Sequence, residues 1–164
     1  PLEPGVMLGP LARRDLRDQL DLQVQAALSG GARALLGGHA LPGPGWFYAP
    51  TILDGITPQS PIWQQEVFGP VALIVRARDE RDALALANDT PYGLGSSLWS
   101  RDIRRAEQLA GQIDAGCTFI NGLVKSDPRL PFGGTKNSGF GRELSSQGIR
   151  EFTNLKTVWI RNPT

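Results

Sequence analysis

Few residues in this sequence combine the right type and spacing to do chemistry. Cys117 is the only thiol. A nucleophilic cysteine needs a stabilised thiolate or a neighbouring base. The only histidine, His39, is far away in sequence, beside a Gly-Pro-rich run at 41–45. Around Cys117 the residues AGCTFIN read as the start of a strand in the core, so a structural thiol is expected rather than a nucleophile. His39 reads as an exposed loop residue. With no cysteine or second histidine beside it, no metal site is expected. No residue of the chain is therefore assigned a catalytic role.

Glu66 is the better candidate for a ligand contact. It stands in an apolar setting, followed by Phe68, Gly69 and Pro70, just ahead of a strand-like apolar run. The competing local reading is a solvated acid in a turn. Residues 130–143, LPFGGTKNSGFGRE, form the other conspicuous stretch. Gly133, Gly134, Gly139 and Gly141 allow positive φ or close backbone approach, and Pro131 fixes one φ ahead of them. Phe132 and Phe140 argue against a solvated linker, so a buried, tightly turned loop near a site is expected. A plain structural turn is the alternative. The spacing is neither a GxxxxGK[ST] phosphate loop nor a strand–GxGxxG–helix unit.

The elements that must position these residues alternate. A helix is expected over 13–29, where Leu16, Leu20, Val24 and Leu28 form one stripe and Gly30-Gly31 end it. A short strand at 32–36 follows. Residues 46–53, WFYAPTIL, read as an edge or irregular strand broken by Pro50. The continuous apolar run at 71–77 reads as a buried strand. Asp79 and Asp82 suit the start of a helix at 80–88, with Ala83, Leu84 and Ala87 inward. A strand at 94–100 and a helix capped by Asp102 come next. That helix buries Ile103, Ala106, Ala110 and Ile113 and stops at Gly116. A strand at 117–121, a short helix at 146–152 and an end strand at 156–161 complete the chain. The end strand is apolar on both faces, through Val158, Trp159 and Ile160, and wants a partner edge. The alternation gives an α/β fold.

Length and composition agree with a globular α/β chain. The 164 residues carry 17 basic and 16 acidic side chains, for a net charge of +1. Such a balance implies no nucleic-acid partner. No apolar run is long enough for a membrane-spanning helix, so no membrane association is expected. One cysteine fits a reducing compartment, and a cytoplasmic location is the expectation. The opening Pro1-Leu2-Glu3 has no initiator Met, which suggests an internal fragment or processed chain.

Five stretches together resemble the C-terminal part of the aldehyde dehydrogenase superfamily. They are EVFGPV from Glu66, ALANDTPYGLGSSLWS from Ala85, AGCTFIN from Ala115, PFGGTKNSGFGRE from Pro131 and GIREFTNLKTVW from Gly148. Within the superfamily the chain looks most like the bacterial NAD(P)-dependent succinate-semialdehyde dehydrogenases. The resemblance implies part of a catalytic domain, three-layered with a mostly parallel sheet, over 1–153. It implies an oligomerisation arm over 154–164. It also implies that Glu66 meets the hydroxyls of the nicotinamide-side ribose of NAD or NADP, and that Phe68 packs near the nicotinamide end. The family usually carries an acidic pair here, whereas this chain has Gln65-Glu66.

The same resemblance makes residues 122–130 the substrate entrance, with Ser126, Lys125 and Arg129 meeting a carboxylate. Ser126 stands where semialdehyde enzymes of this type often bind the carboxylate, and cationic side chains suit an anionic aldehyde. The parent enzyme is expected to oxidise succinate semialdehyde through a thiohemiacetal and thioester on an upstream cysteine, as a homodimer or tetramer. That nucleophile, the general-base glutamate, the oxyanion asparagine and the pyrophosphate turn match no stretch here, so the chain alone is expected to be inactive. Two alternatives stand beside this: a dehydrogenase for another semialdehyde or an aliphatic aldehyde, and a non-catalytic module retaining the fold.

Overall fold

The computed structural model describes residues 4–163. These divide into two compact units, one ending at Asp89 and the other starting at Thr90. The first unit runs α1 (Arg14–Ser29), β1 (Arg33–Leu36), β2 (Thr51–Ile56), β3 (Val71–Val75) and α2 (Glu80–Asn88). The expected stripe does form the inner face of α1. Leu20, Val24 and Ala27 are buried, with Leu16 and Leu28 half-buried beside them. The Gly30 N–H donates to Ala26 O at 2.9 Å and closes the helix.

The sheet order is β1-β2-β3. β1 and β2 are antiparallel, and β2 and β3 are parallel. Where an irregular strand was expected at 46–53, Tyr48 makes only an isolated bridge to Ala40. The true strand, β2, begins after Pro50 and continues past Leu53. Proline has no N–H to give a ladder. Thr51 N–H opens it instead, donating to Pro70 O at 2.8 Å. The central position of β2 explains its burial: Leu53 and Ile56 join Leu20, Val24, Ala27, Ala32, Tyr48 and Ile62 in one cluster. Fully burying a leucine contributes about 1.5–3 kcal/mol. β3 lies at the sheet edge and alternates between half-buried and exposed, so the double-sided burial expected at 71–77 is not found. Ala83 and Ala87 of α2 are exposed, not inward, and Leu84 is half-buried. The Asp79 cap does form, its side chain accepting from Asp82 N.

Asp54 is the one charged side chain of this core among the described residues, 2% exposed. Its carboxylate accepts from Arg33 Nη2 at 2.9 Å and from Arg76 Nη2 at 3.2 Å. The Arg76 guanidinium above all, then the Gly55 N–H and Arg33, hold its carboxyl below the usual carboxylate range.

The second unit runs β4 (Tyr92–Gly93), β5 (Gly95–Leu98), α3 (Ile103–Ala110), β6 (Cys117–Ile120), β7 (Thr135–Lys136) and α4 (Ser145–Glu151). The strand expected at 94–100 forms as the shorter β5, and the separate two-residue β4 precedes it. β4 pairs antiparallel with β7, while β5 pairs parallel with β6. Sheet pairing across the described residues is thus mixed rather than mostly parallel. α3 stops at Gly111, whose N–H donates to Glu107 O while Gln112 N–H donates to Leu109 O, five residues before the stop expected at Gly116. Ala106 is its buried residue, Ile103 is exposed, and Ala110 and Ile113 are half-buried. Beyond Thr153 the expected end strand joins no sheet among the described residues. Val158, Trp159 and Ile160 all stand exposed. A strand needs an edge to pair with, and among the described residues that segment pairs with none.

Because the fold lowers the Asp54 pKa, the stability it contributes is complete above the ordinary carboxylate range and is lost as pH falls through the lowered folded value. Urea midpoints of the chain should therefore drop on acidification below about pH 4. Asp54→Asn should lower the midpoint at neutral pH and flatten that acid limb. An acid limb identical in the variant would detach Asp54 from the effect.

Candidate functional site

Glu66 and Phe68 lie in the first unit, on the irregular connection between β2 and β3. That connection is built from turns. Ser60 N–H donates to Thr57 O, Trp63 N–H to Ser60 O, and Gln65 N–H to Ile62 O. Ile62 plugs into the core. The Trp63 indole N–H reaches Asp89 Oδ2 at 2.7 Å and ties the turn to the end of α2. Beyond it, Glu66 and Phe68 face a recess of about 190 Å³, lined also by Leu16, Gln19, Leu20 and Gln23 of α1. The Glu66 carboxylate makes no hydrogen bond or ion pair among the described residues, and Phe68 is 68% exposed. A free carboxylate beside an open aromatic face is a fitting receptor for a vicinal diol carried next to a flat ring.

Sequence reasoning missed Gln19 and Gln23. The signal was present, since positions 16, 19, 20 and 23 share one helical face. Gln65, noted only as a departure from an acidic pair, has a defined task. Its Nε2 donates to Pro61 O at 2.7 Å, and its Oε1 accepts from Gln23 Nε2 at 2.9 Å.

Lys125, Ser126 and Arg129 lie in the second unit. Ser126 and Lys125 are exposed, and neither makes a hydrogen bond or ion pair among the described residues. Arg129 differs. Its Nε donates to Asp127 Oδ1 at 2.9 Å and its Nη2 to Oδ2 at 2.6 Å. That bidentate pair holds the Asp127 carboxyl far below the usual range and leaves the guanidinium largely neutralised. Arg129 also lines a groove of about 580 Å³ against α4, whose lining includes neither Lys125 nor Ser126. The three residues therefore share a loop but are not gathered around one cavity.

The far end of that loop is held by the glycine-rich stretch. Phe132 and Glu143 exchange both backbone hydrogen bonds, at 2.9 and 2.8 Å. Arg142 Nη1 donates to Gly134 O at 2.9 Å and Gly141 O at 2.6 Å. Close approach explains Gly116: a Cβ there would lie 1.7 Å from Gly133 O. The expectation of a buried loop is met only at Gly134, while Phe140 is fully exposed. The stretch is a closed backbone clasp with an open tip.

Cys117 begins β6, half-buried, with Sγ 3.5 Å from Leu94 O. Burial pushes its thiol up, against a smaller opposing influence of Arg142. A nucleophile needs the reverse. His39 is exposed, its Nδ1 3.4 Å from Gly37 O, and no cluster of metal-binding side chains occurs among the described residues.

This α/β chain belongs to the aldehyde dehydrogenase family, whose model matches residues 1–158. Within the family it is similar to succinate-semialdehyde dehydrogenase [NADP(+)] 1 of Mycobacterium ulcerans (strain Agy99), 48% identical over 98% of this chain and 35% of that protein. Succinate semialdehyde dehydrogenase [NAD(P)+] of Escherichia coli (strain K12) is 50% identical over 93% of this chain and 33% of that one. Among solved structures, succinic semialdehyde dehydrogenase from Streptococcus pyogenes in complex with NADP+ superposes with a TM-score of 0.93. It is 41% identical, covering 98% of this chain and 35% of that chain. The chain spans about a third of the length of these relatives.

The glycine clasp is testable on its own. Gly116→Ala must push β6 off the Gly133 carbonyl, and overpacking of this kind costs about 1–3 kcal/mol. Chemical denaturation should show that loss in the transition reporting the second unit. A neutral result would mean that the contact relaxes freely.

Proposed function

We propose that this chain is the cofactor-ribose and substrate-loop portion of an NAD(P)-dependent aldehyde dehydrogenase that oxidises succinate semialdehyde to succinate. The observation carrying the reading is the 48–50% identity, over 93–98% of this chain, to succinate-semialdehyde dehydrogenases. In this reading Glu66 accepts hydrogen bonds from the hydroxyls of the nicotinamide-side ribose. Phe68 lies against the nicotinamide end, and Gln19 offers a further amide on the opposite wall. The nicotinamide supplies the hydride-accepting chemistry when bound. Residues of this chain bind and orient it, and limit its contact with water.

The substrate end is proposed at residues 122–130. Ser126 donates to the distal carboxylate, and Lys125 adds positive charge. Arg129 contributes less than its charge suggests, because Asp127 already occupies its fork. Residues 1–153 belong in this proposal to the catalytic domain and 154–164 to an arm that docks on another subunit, giving a homodimer or tetramer. The exposed Val158, Trp159 and Ile160 support such docking. A cytoplasmic setting is proposed as well. Among the described residues no helix is long and apolar enough to cross a membrane.

Two outcomes test the reading. The chain alone, mixed with succinate semialdehyde and NAD or NADP, should give no rise at the reduced-nicotinamide absorbance. Turnover abolished by Cys117→Ala would overturn both that expectation and the structural role of the thiol. In the complete enzyme, Ser126→Ala should lose a hydrogen bond to a charged group, about 1.5–3 kcal/mol. That is roughly a 10- to 150-fold fall in kcat/KM for succinate semialdehyde, with an uncharged aldehyde of equal length nearly unaffected. Equal loss on both substrates would signal loop damage, and no loss on either would remove Ser126 from the site.

A further inference from the structure

We infer that Gln23 is a positioning residue which, together with Gln65, fixes where Glu66 presents its carboxylate; the inference rests on the reading of Glu66 as a ribose contact. The Gln23 side chain leaves the middle of α1 and spends its amide at two points. Nε2 donates to Gln65 Oε1 at 2.9 Å and to the backbone carbonyl of Glu66 at 3.1 Å. Gln65 passes the connection on, its Nε2 donating to Pro61 O at 2.7 Å. The result is a directed chain from helix to turn: Gln23 to Gln65 to Pro61, with a branch to Glu66.

Three observations give this arrangement its importance. First, the Glu66 carboxylate has no partner of its own among the described residues, so the fold sets where it can reach only through the position of its backbone. Second, that backbone lies on an irregular connection with no strand ladder until Val71. Other ties flank it, with Ile62 in the core and Trp63 and Gln64 on Asp89 upstream and Val67 packed on the core downstream, but none of them is a hydrogen bond to Glu66. Gln23 grips Glu66 itself. Third, Gln23 lines the same recess as Glu66 and Phe68, so the grip is applied from the opposite wall.

The geometry also requires an amide at position 65. Its oxygen faces a donor and its nitrogen faces an acceptor. A carboxylate there would set an oxygen 2.7 Å from the Pro61 carbonyl. Gln23 and Gln65 share one hydrogen bond, and the two positions should behave as one unit.

The test uses the complete enzyme, with cofactor affinity and the single-turnover rate of hydride transfer as readouts and thermal unfolding as a control. Gln23→Met keeps the length and apolar stem of the side chain but removes the donor. It should raise the cofactor Kd and slow hydride transfer, by roughly 3- to 10-fold together, the scale of one or two neutral hydrogen bonds. Tm should shift little. Gln65→Glu should reproduce the effect, and the double variant should be no worse than either single one. In a Glu66→Gln background, Gln23→Met should add nothing. Loss of Tm with unchanged cofactor affinity and hydride-transfer rate would reduce Gln23 to a structural role and overturn the inference. Full additivity of the two glutamine variants would overturn it as well. Should Gln23→Met not fold, Gln65→Glu decides alone, since it leaves the α1 surface intact. If Glu66→Gln binds and reacts as the parent does, the ribose reading fails first and takes this inference with it. If only the glutamine variants are silent, the ribose reading survives.

Discussion

Leu20 is the side chain on which the first unit depends twice. It is 1% exposed and sits at the centre of the cluster formed by α1, β2 and Ile62. It also lines the recess beside Glu66 and Phe68. A Cβ on Gly69 would fall 2.4 Å from its Cδ2, so the backbone just after Phe68 rests directly on it. One leucine therefore couples core packing to the position of the loop that carries the candidate cofactor contacts. The polar chain from Gln23 runs one helical turn further on, along the same face. Apolar contact sets the height of the loop, and hydrogen bonds set its orientation.

The second unit solves a similar problem by backbone rather than side-chain packing. Its strands are short, and β5 and β6 give it one parallel pair. What holds residues 122–130 in place is the clasp at their far end, together with Ser145 N–H donating to Pro128 O at 3.0 Å. Side chains contribute at the margins, through Arg142 and through Asn121, whose Oδ1 accepts from Ser100 N at 2.9 Å. Leu144 and Ser145 adopt positive φ, 63° and 55°, where the chain enters α4. Two consecutive non-glycine residues in that region cost energy. The clasp at Glu143 fixes the chain just before them, and the Ser145 N–H bond to Pro128 holds it between them.

Much of this was legible in the sequence. The stripe of α1, the Asp79 and Asp102 caps, the strand at Cys117 and the exposure of His39 all follow from local pattern. So does the family, through motifs spread along nearly the whole chain. What local pattern does not carry is which neighbour a segment meets. The largely apolar run at 71–77 reads as a buried strand because a run reports preference, not cover. β3 sits at an edge, and the terminal run at 156–161 pairs with no strand among the described residues. Pro50 was read as breaking a strand, yet it marks where one starts, because the first ladder donor must come after it. Gln19 and Gln23 share a helix face with Leu16 and Leu20 in the sequence, but only the turn of the chain at 57–70 brings a loop over that face and makes it the wall of a recess. The pairing of Asp127 with Arg129 lay two residues apart in plain view, but only geometry shows the fork closed.

That closed fork changes how an anion would arrive. A guanidinium locked to its own neighbour is a compact dipole, and its field fades much faster with distance than that of a lone cation. On the proposed substrate reading, the loop broadcasts little more than the charge of Lys125, which salt screens within about 8 Å at physiological ionic strength. This loop's own share in capturing a carboxylate-bearing aldehyde would then lie in short-range fit rather than in electrostatic guidance. The loop's contribution to the association rate would depend only weakly on ionic strength, and its discrimination between anions would fall to the reach and geometry of a single hydroxyl.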